Sequence, residues 1–193
     1  MKSGALWASD DPAQWAAVLG RYEAAVKTAA ARSESKAALA ALDRWHREEL
    51  PAQLAAAMAA AGGSEGPAIT RDQLVKLVEW KMARGQWRPR LLAFAREQPD
   101  GAVEAASREA LRLLRRRERE GQETAAQAAA ADAAGPATAS ALLSAADPGV
   151  PYMGDEAMAA ALPPGRGSDY SLKAYLQLAE ALRGKAARLR FNR

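Results

Sequence analysis

The sequence predicts an all-α fold, a compact multi-helix domain spanning residues 1–193. Three observations predict it. Alanine is very abundant and β-branched residues are sparse, a balance that favours helix on propensity alone. Only 6% of residues are aromatic, and runs with the alternation of a strand are nearly absent. Apolar residues recur at helical spacing, punctuated by Gly and Pro, which divides the chain into about eight short helices.

From Asp11 to about Ala31, Asp11 caps and Pro12 takes the first helical position, with Trp15, Val18, Leu19, Tyr22 and Val26 along one packing face. A second helix starts near Ser35, places Leu39, Leu42 and Trp45 on one side, and stops near Leu50-Pro51. His46, close to that stop, reads as a surface or helix-terminal histidine. A short alanine-rich run covers Gln53 to Ala61, and Gly62-Gly63-Ser64-Glu65-Gly66-Pro67 reads as a flexible loop near 62–68. Thr70-Arg71-Asp72-Gln73 fits a capping box, stapled by Ile69 and Leu74, and opens a helix with Leu74, Leu77, Val78 and Met82 inward.

Next comes a basic stretch, Lys81 to Arg90, holding Lys81, Arg84, Arg88 and Arg90 with Trp80 and Trp87. Cations interleaved with aromatic rings suit nucleic acid, the cations on phosphates and a ring on a base. The competing reading packs both tryptophans at a helix junction and leaves the cations as a solvated rim. A short helix from Arg90 to Gln98 precedes one capped by Asp100, which carries Val103, Leu111 and Leu114 and ends in an arginine cluster from Arg112 to Arg119. Residues 121–134 are low-complexity and alanine-rich. The last helix, capped by Ser168 or Asp169 after a loop at 162–168, buries Leu172, Tyr175, Leu176, Ala179 and Leu182 and ends in Lys185, Arg188, Arg190 and Arg193.

The stretch 131–158 is the part that reads as a site. Gly135-Pro136 makes a tight turn, an apolar helix runs from about Ala137 to Ala145, and Asp147-Pro148-Gly149 turns again before Val150-Pro151 and Asp155. The helix presents its first-turn amides and the positive end of its dipole beside a glycine, an arrangement that binds anions. Gly135-Pro136-Ala137-Thr138-Ala139, the apolar helix, Val150-Pro151 and Asp155 together resemble the hairpin and following acid of the helix-hairpin-helix DNA glycosylase superfamily. That resemblance implies a DNA phosphate held by Gly135, Ala137 and Thr138. It also implies that Asp155 assists cleavage of the N-glycosidic bond, with Tyr152 and Glu156 as pocket walls. Ala133 and Ala134 stand where the family has its other hairpin residues, and Asp155 follows Pro151 by four residues instead of two. Ala137 occupies the slot of the Schiff-base lysine of bifunctional members, so the implied activity is monofunctional, without a lyase step. The alternative is a helical corner in which Asp155 only caps the next helix.

Composition bounds the rest. The absence of cysteine excludes disulfides and thiolate metal sites, and a single histidine leaves no histidine cluster, so no metal and no cofactor is expected. A net charge of +4 and a pI near 9.6 are compatible with DNA as partner. No apolar run approaches a membrane span, and nuclear or cytoplasmic placement is the expectation. The reading is thus a DNA-binding helix-hairpin-helix protein with glycosylase-like chemistry. A non-catalytic helical scaffold binding protein partners is the competing reading.

Overall fold

A computed structural model of the chain describes residues 3–60, 66–120, 135–163 and 169–189. All regular structure among them is helical: α1 (Ser3–Ala8), α2 (Pro12–Leu19), α3 (Tyr22–Ala30), α4 (Leu39–Arg44), α5 (Leu50–Ala60), α6 (Arg71–Arg84), α7 (Pro89–Glu97), α8 (Asp100–Glu120), α9 (Pro136–Ala146), α10 (Asp155–Ala161) and α11 (Leu172–Leu189). None of these helices is long and apolar enough to cross a membrane.

The centre is α9. Ala137 to Leu143 and Ala145 are all buried, and the helix packs on α5, α6, α8 and α11. A helix that is apolar all round belongs inside, and its alanines let four neighbours approach closely. The main core gathers Leu142 and Leu143 of α9 with Trp45, Leu50, Leu54, Leu77, Trp80, Leu111 and Leu114. A second cluster joins α9, α10 and α11 through Ala137, Met153, Met158, Tyr175 and Leu178. A third packs α7 on α6 through Val78, Met82, Leu92 and Ala95.

Several expected boundaries move, each for a physical reason. The helix expected from Asp11 to Ala31 breaks at Gly20-Arg21 into α2 and α3, glycine being a weak helix former. The stop at Leu50-Pro51 is overturned: α4 continues into α5 through a π turn at Trp45–Glu49, where the Leu50 N–H bonds the Trp45 carbonyl. Pro51 has no N–H to give, and the widened turn makes room for its ring. The buried stripe Leu39, Asp43, His46, Leu50, Leu54 therefore runs unbroken along one face. His46 is thus neither superficial nor terminal. It is buried and stacks on Trp80 at 3.7 Å, and its Nε2 lies 2.8 Å from the Ala141 carbonyl of α9.

The capping box at Thr70 is present as expected. Of the expected flexible loop, 61–65 lie outside the described residues, whereas Pro67 is buried and the Ile69 N–H is held by Ser107 Oγ at 3.0 Å. Asp100 stands in the first turn of α8 and not before it. Among the expected C-terminal cations, Lys185 is buried. It bonds Asp10 at 2.5 Å and faces the rings of Trp7 and Trp15, pinning the N-terminus to α11. The cap of α11 is Ser171, whose Oγ accepts the Ala174 N–H, with Asp169 Oδ1 accepting the Ser171 N–H. Ser168, Arg190 and Arg193, the side chains of Arg116, Arg117 and Arg119, and the expected hairpin residues 131–134 lie outside the described residues.

Burial holds the His46 pKa below its ordinary 6.5, so the folded chain keeps the ring neutral. Its contribution is complete above 6.5. On acidification the unfolded chain takes up a proton that the folded chain refuses, so stability falls as the pH drops from 6.5 toward the folded pKa. Urea unfolding at neutral pH and at about pH 5 should show this loss, and His46→Gln, which keeps a donor for Ala141 but cannot titrate, should reduce it. An equal loss in both proteins would contradict the assignment.

Candidate functional site

Four segments meet at the N-terminal end of α9 and leave a cleft of about 230 Å³. The C-terminal end of α6 and the loop after it supply Lys81, Arg84, Gly85 and Arg88. Gly135, Ala137 and Thr138 come from the start of α9, and Tyr152, Asp155, Glu156 and Tyr170 close the far side. Of the residues singled out in the sequence, Lys81, Arg84, Arg88, Gly135, Ala137, Thr138 and Asp155 thus share one cavity. Arg90 does not: it is exposed on α7, away from the cleft lining.

Each wall has a local cause. Gly135 precedes α9 with φ of +74°, a backbone conformation that favours glycine, and Pro136 sits in the first turn where its missing N–H costs nothing. Ser140 Oγ donates to the Ala137 carbonyl and accepts the Met153 N–H at 3.0 Å, fastening the segment before α10 to α9. Asp155 is the first residue of α10. Its Oδ1 accepts a hydrogen bond from the Tyr170 hydroxyl, and Gly154 stands at the cap position without a side-chain cap bond. Asp155 therefore stands in the first turn of α10 and not at its cap. Gly85 stands beside the acid: a β-carbon there would meet Asp155 Oδ2 at 3.4 Å, an ordinary contact.

The cations differ in their commitments. Arg84 Nη1 donates to Tyr22 Oη at 2.6 Å and to Asp43 Oδ1 at 3.2 Å, and its guanidinium lies over the rings of Trp80 and Tyr152. Arg88 lies over the Tyr170 ring, and its backbone N–H is held by Met82 Sδ. Lys81 Nζ donates to Thr138 Oγ1 at 3.1 Å, its one hydrogen-bond partner among the described residues. Burial, with the nearby positive charge of Arg88, lowers the Lys81 pKa to about 8, while the Asp155 charge opposes the shift. Burial also pushes the phenol of Tyr152 upward, so it remains protonated. The tryptophans expected to pack together divide: Trp80 is core, whereas Trp87 is 50% exposed in the loop beside Gln86 and Arg88.

The residue that sequence reasoning missed is Asp43. Its buried carboxylate accepts from Tyr22, Trp80 and Arg84 on Oδ1 and from Arg47 on Oδ2. Burial alone would raise its pKa, but these hydrogen bonds and the Arg84 charge bring it below the ordinary value. The available signal was an acid at i+4 from Leu39 on the apolar face of α4. A second cavity, of about 280 Å³, lies among α6, α7, α8 and α9. It is almost wholly apolar, whereas the charged side chains gather in the cleft. No family model, curated protein or solved structure matches the chain.

The amine of Lys81 should titrate near 8 when followed by competitive acylation or by NMR of labelled lysine. Asp155→Asn removes the charge that opposes the shift, so the pKa should fall further. An unshifted amine, or a rise in the variant, would contradict the cleft geometry.

Proposed function

We propose that the protein binds DNA and receives one extruded nucleotide in the cleft, acting as a monofunctional DNA glycosylase. The observation that carries this reading is the meeting of Lys81, Arg88, the start of α9 and the Asp155 carboxylate in one cavity. Lys81 and Arg88 supply the charge that a phosphate needs, and the Ala137 N–H is among the first-turn donors of α9. At about 230 Å³ the cleft lies below the roughly 300 Å³ at which drug-sized pockets begin, a size suited to one base. Tyr152 and Tyr170 offer aromatic surface to it.

In this reading Asp155 stabilises the positive charge that grows on the sugar as the C1′–N bond lengthens. It also orients a water, which adds its oxygen to C1′, while the base departs with the bonding electrons and takes up a proton. The Tyr170 hydroxyl fixes the rotamer of Asp155 through its hydrogen bond. The competing reading, a scaffold for protein partners, makes no use of this convergence of charge.

The test is binding to a duplex carrying an abasic-site analogue, against undamaged duplex, across a salt series, followed by base release from duplexes with damaged bases. Preference for the lesion is expected. Arg88→Met should weaken binding to every duplex and lower the salt slope by about one. Asp155→Asn should abolish base release while leaving affinity nearly intact. Absence of binding even at low salt would overturn the reading in favour of the scaffold, and binding without release in the native chain would reduce it to DNA binding alone.

A further inference from the structure

Three large apolar side chains are exposed among the described residues, and two of them, Trp87 at 50% and Phe94 at 51%, belong to one short stretch. Trp87 stands just before α7 and Phe94 within it. Trp87 lies between Gln86 and Arg88, which both line the cleft, while Phe94 lines the apolar cavity. Leu91, between them in the chain, lines both, and it shares a face of α7 with Phe94. An apolar row therefore leads from the cleft rim along α7. The loop that carries Trp87 is anchored: the Arg88 N–H is held by Met82 Sδ, and the Arg88 carbonyl accepts the Leu91 N–H.

Cations alternate with the rings. Arg88 and Arg90 are both exposed, and Arg90 has no ion-pair partner among the described residues. Arg96, further along, is instead paired with Glu79. Exposed rings set among exposed guanidinium groups complement a strand whose bases have free faces and whose phosphates are charged. In an intact duplex those faces are covered by neighbouring base pairs. Two rings in one row call for unpaired bases, where a single ring would fill only one gap.

We propose that this row is a track for single-stranded DNA: a strand with one nucleotide in the cleft continues along α7, its bases stacked on Trp87 and Phe94 and its phosphates beside Arg88 and Arg90. The track rests on the DNA reading of the cleft and names the substrate as DNA that is unpaired beside the target nucleotide. A duplex must therefore open at that point before it is fully engaged.

Fluorescence-anisotropy titration of the full chain with a labelled single strand, the duplex of the same sequence and the duplex carrying the abasic-site analogue tests this. The single strand should bind more tightly than the undamaged duplex at the same salt. Trp87→Ala and Phe94→Ala should each weaken single-strand binding about fivefold or more. Trp87→Tyr should retain most of the affinity, whereas Phe94→Leu, which keeps apolar bulk without a ring, should behave as Phe94→Ala. Arg90→Met should lower the salt slope on the single strand by about 0.7. A single strand bound no more tightly than the undamaged duplex, or bound equally by the native chain and both alanine variants, would overturn the track, while continued preference for the lesion would leave the cleft reading standing. Binding to none of the three DNAs would overturn both and assign the aromatic row to a protein partner.

Discussion

One buried carboxylate sets much of this structure. Asp43 is 1% exposed, and the removal of such a charge from water is tolerated only when partners replace the lost hydration. Four donors do so: Tyr22 from α3, Arg47 one turn later, and Trp80 and Arg84 from α6. Each partner is fixed by the same requirement. α2 and α3 separate at Gly20-Arg21, Tyr22 opens α3, and the π turn carries His46 and Arg47. Trp80 is held on its edge by the acid and on its face by His46, whose other side bonds the Ala141 carbonyl of α9. Five segments are thereby tied to one point by polar contacts, with the apolar core closing around them.

The cleft follows from that arrangement. Arg84 is the last residue of α6, so the group that neutralises Asp43 also forms a wall of the cavity and leans over Tyr152. One turn earlier Lys81 projects to the same side, reaching Thr138 at the start of α9. The burial that keeps α9 at the centre of the core also desolvates Lys81, and for that reason its amine titrates low. The cleft is thus the place where the end of a packed alanine helix meets three cations and two carboxylates.

Much of the helix content could be read from the sequence because it is local. The capping box at Thr70, the proline and glycine opening α9, and the stripe of α6 act within a few residues, and each stands where expected. The chemistry-bearing residues of 131–158 and of the basic stretch were likewise visible as residue types; Lys81, Arg84, Arg88, Gly135, Ala137, Thr138 and Asp155 share the cleft, whereas Arg90, Trp80 and Trp87 do not line it. What the sequence hid was tertiary. Pro51 reads as a stop because its effect on an α-helix is local, whereas the π turn that accommodates it is favoured by the burial of Leu50 and Leu54 beyond it. His46 reads as a surface residue, and Asp43 is missed, because a polar side chain is placed inside only by partners distant in the chain, here Trp80, Arg84 and Ala141. The long-range signal was the spacing 39, 43, 46, 50, 54, an apolar stripe with two polar members.

If Asp43 and Arg84 are joined as described, their contributions to stability cannot be independent. A double-mutant cycle in urea with Asp43→Asn, Arg84→Met and the double variant measures this directly. Asp43→Asn alone should cost about 3–5 kcal/mol, because it leaves the partly buried Arg84 charge without its counter-charge. Arg84→Met should cost distinctly less in the Asp43→Asn background than in the native chain. Additive effects of the two substitutions would contradict the claim that this buried pair organises the fold and the cleft together.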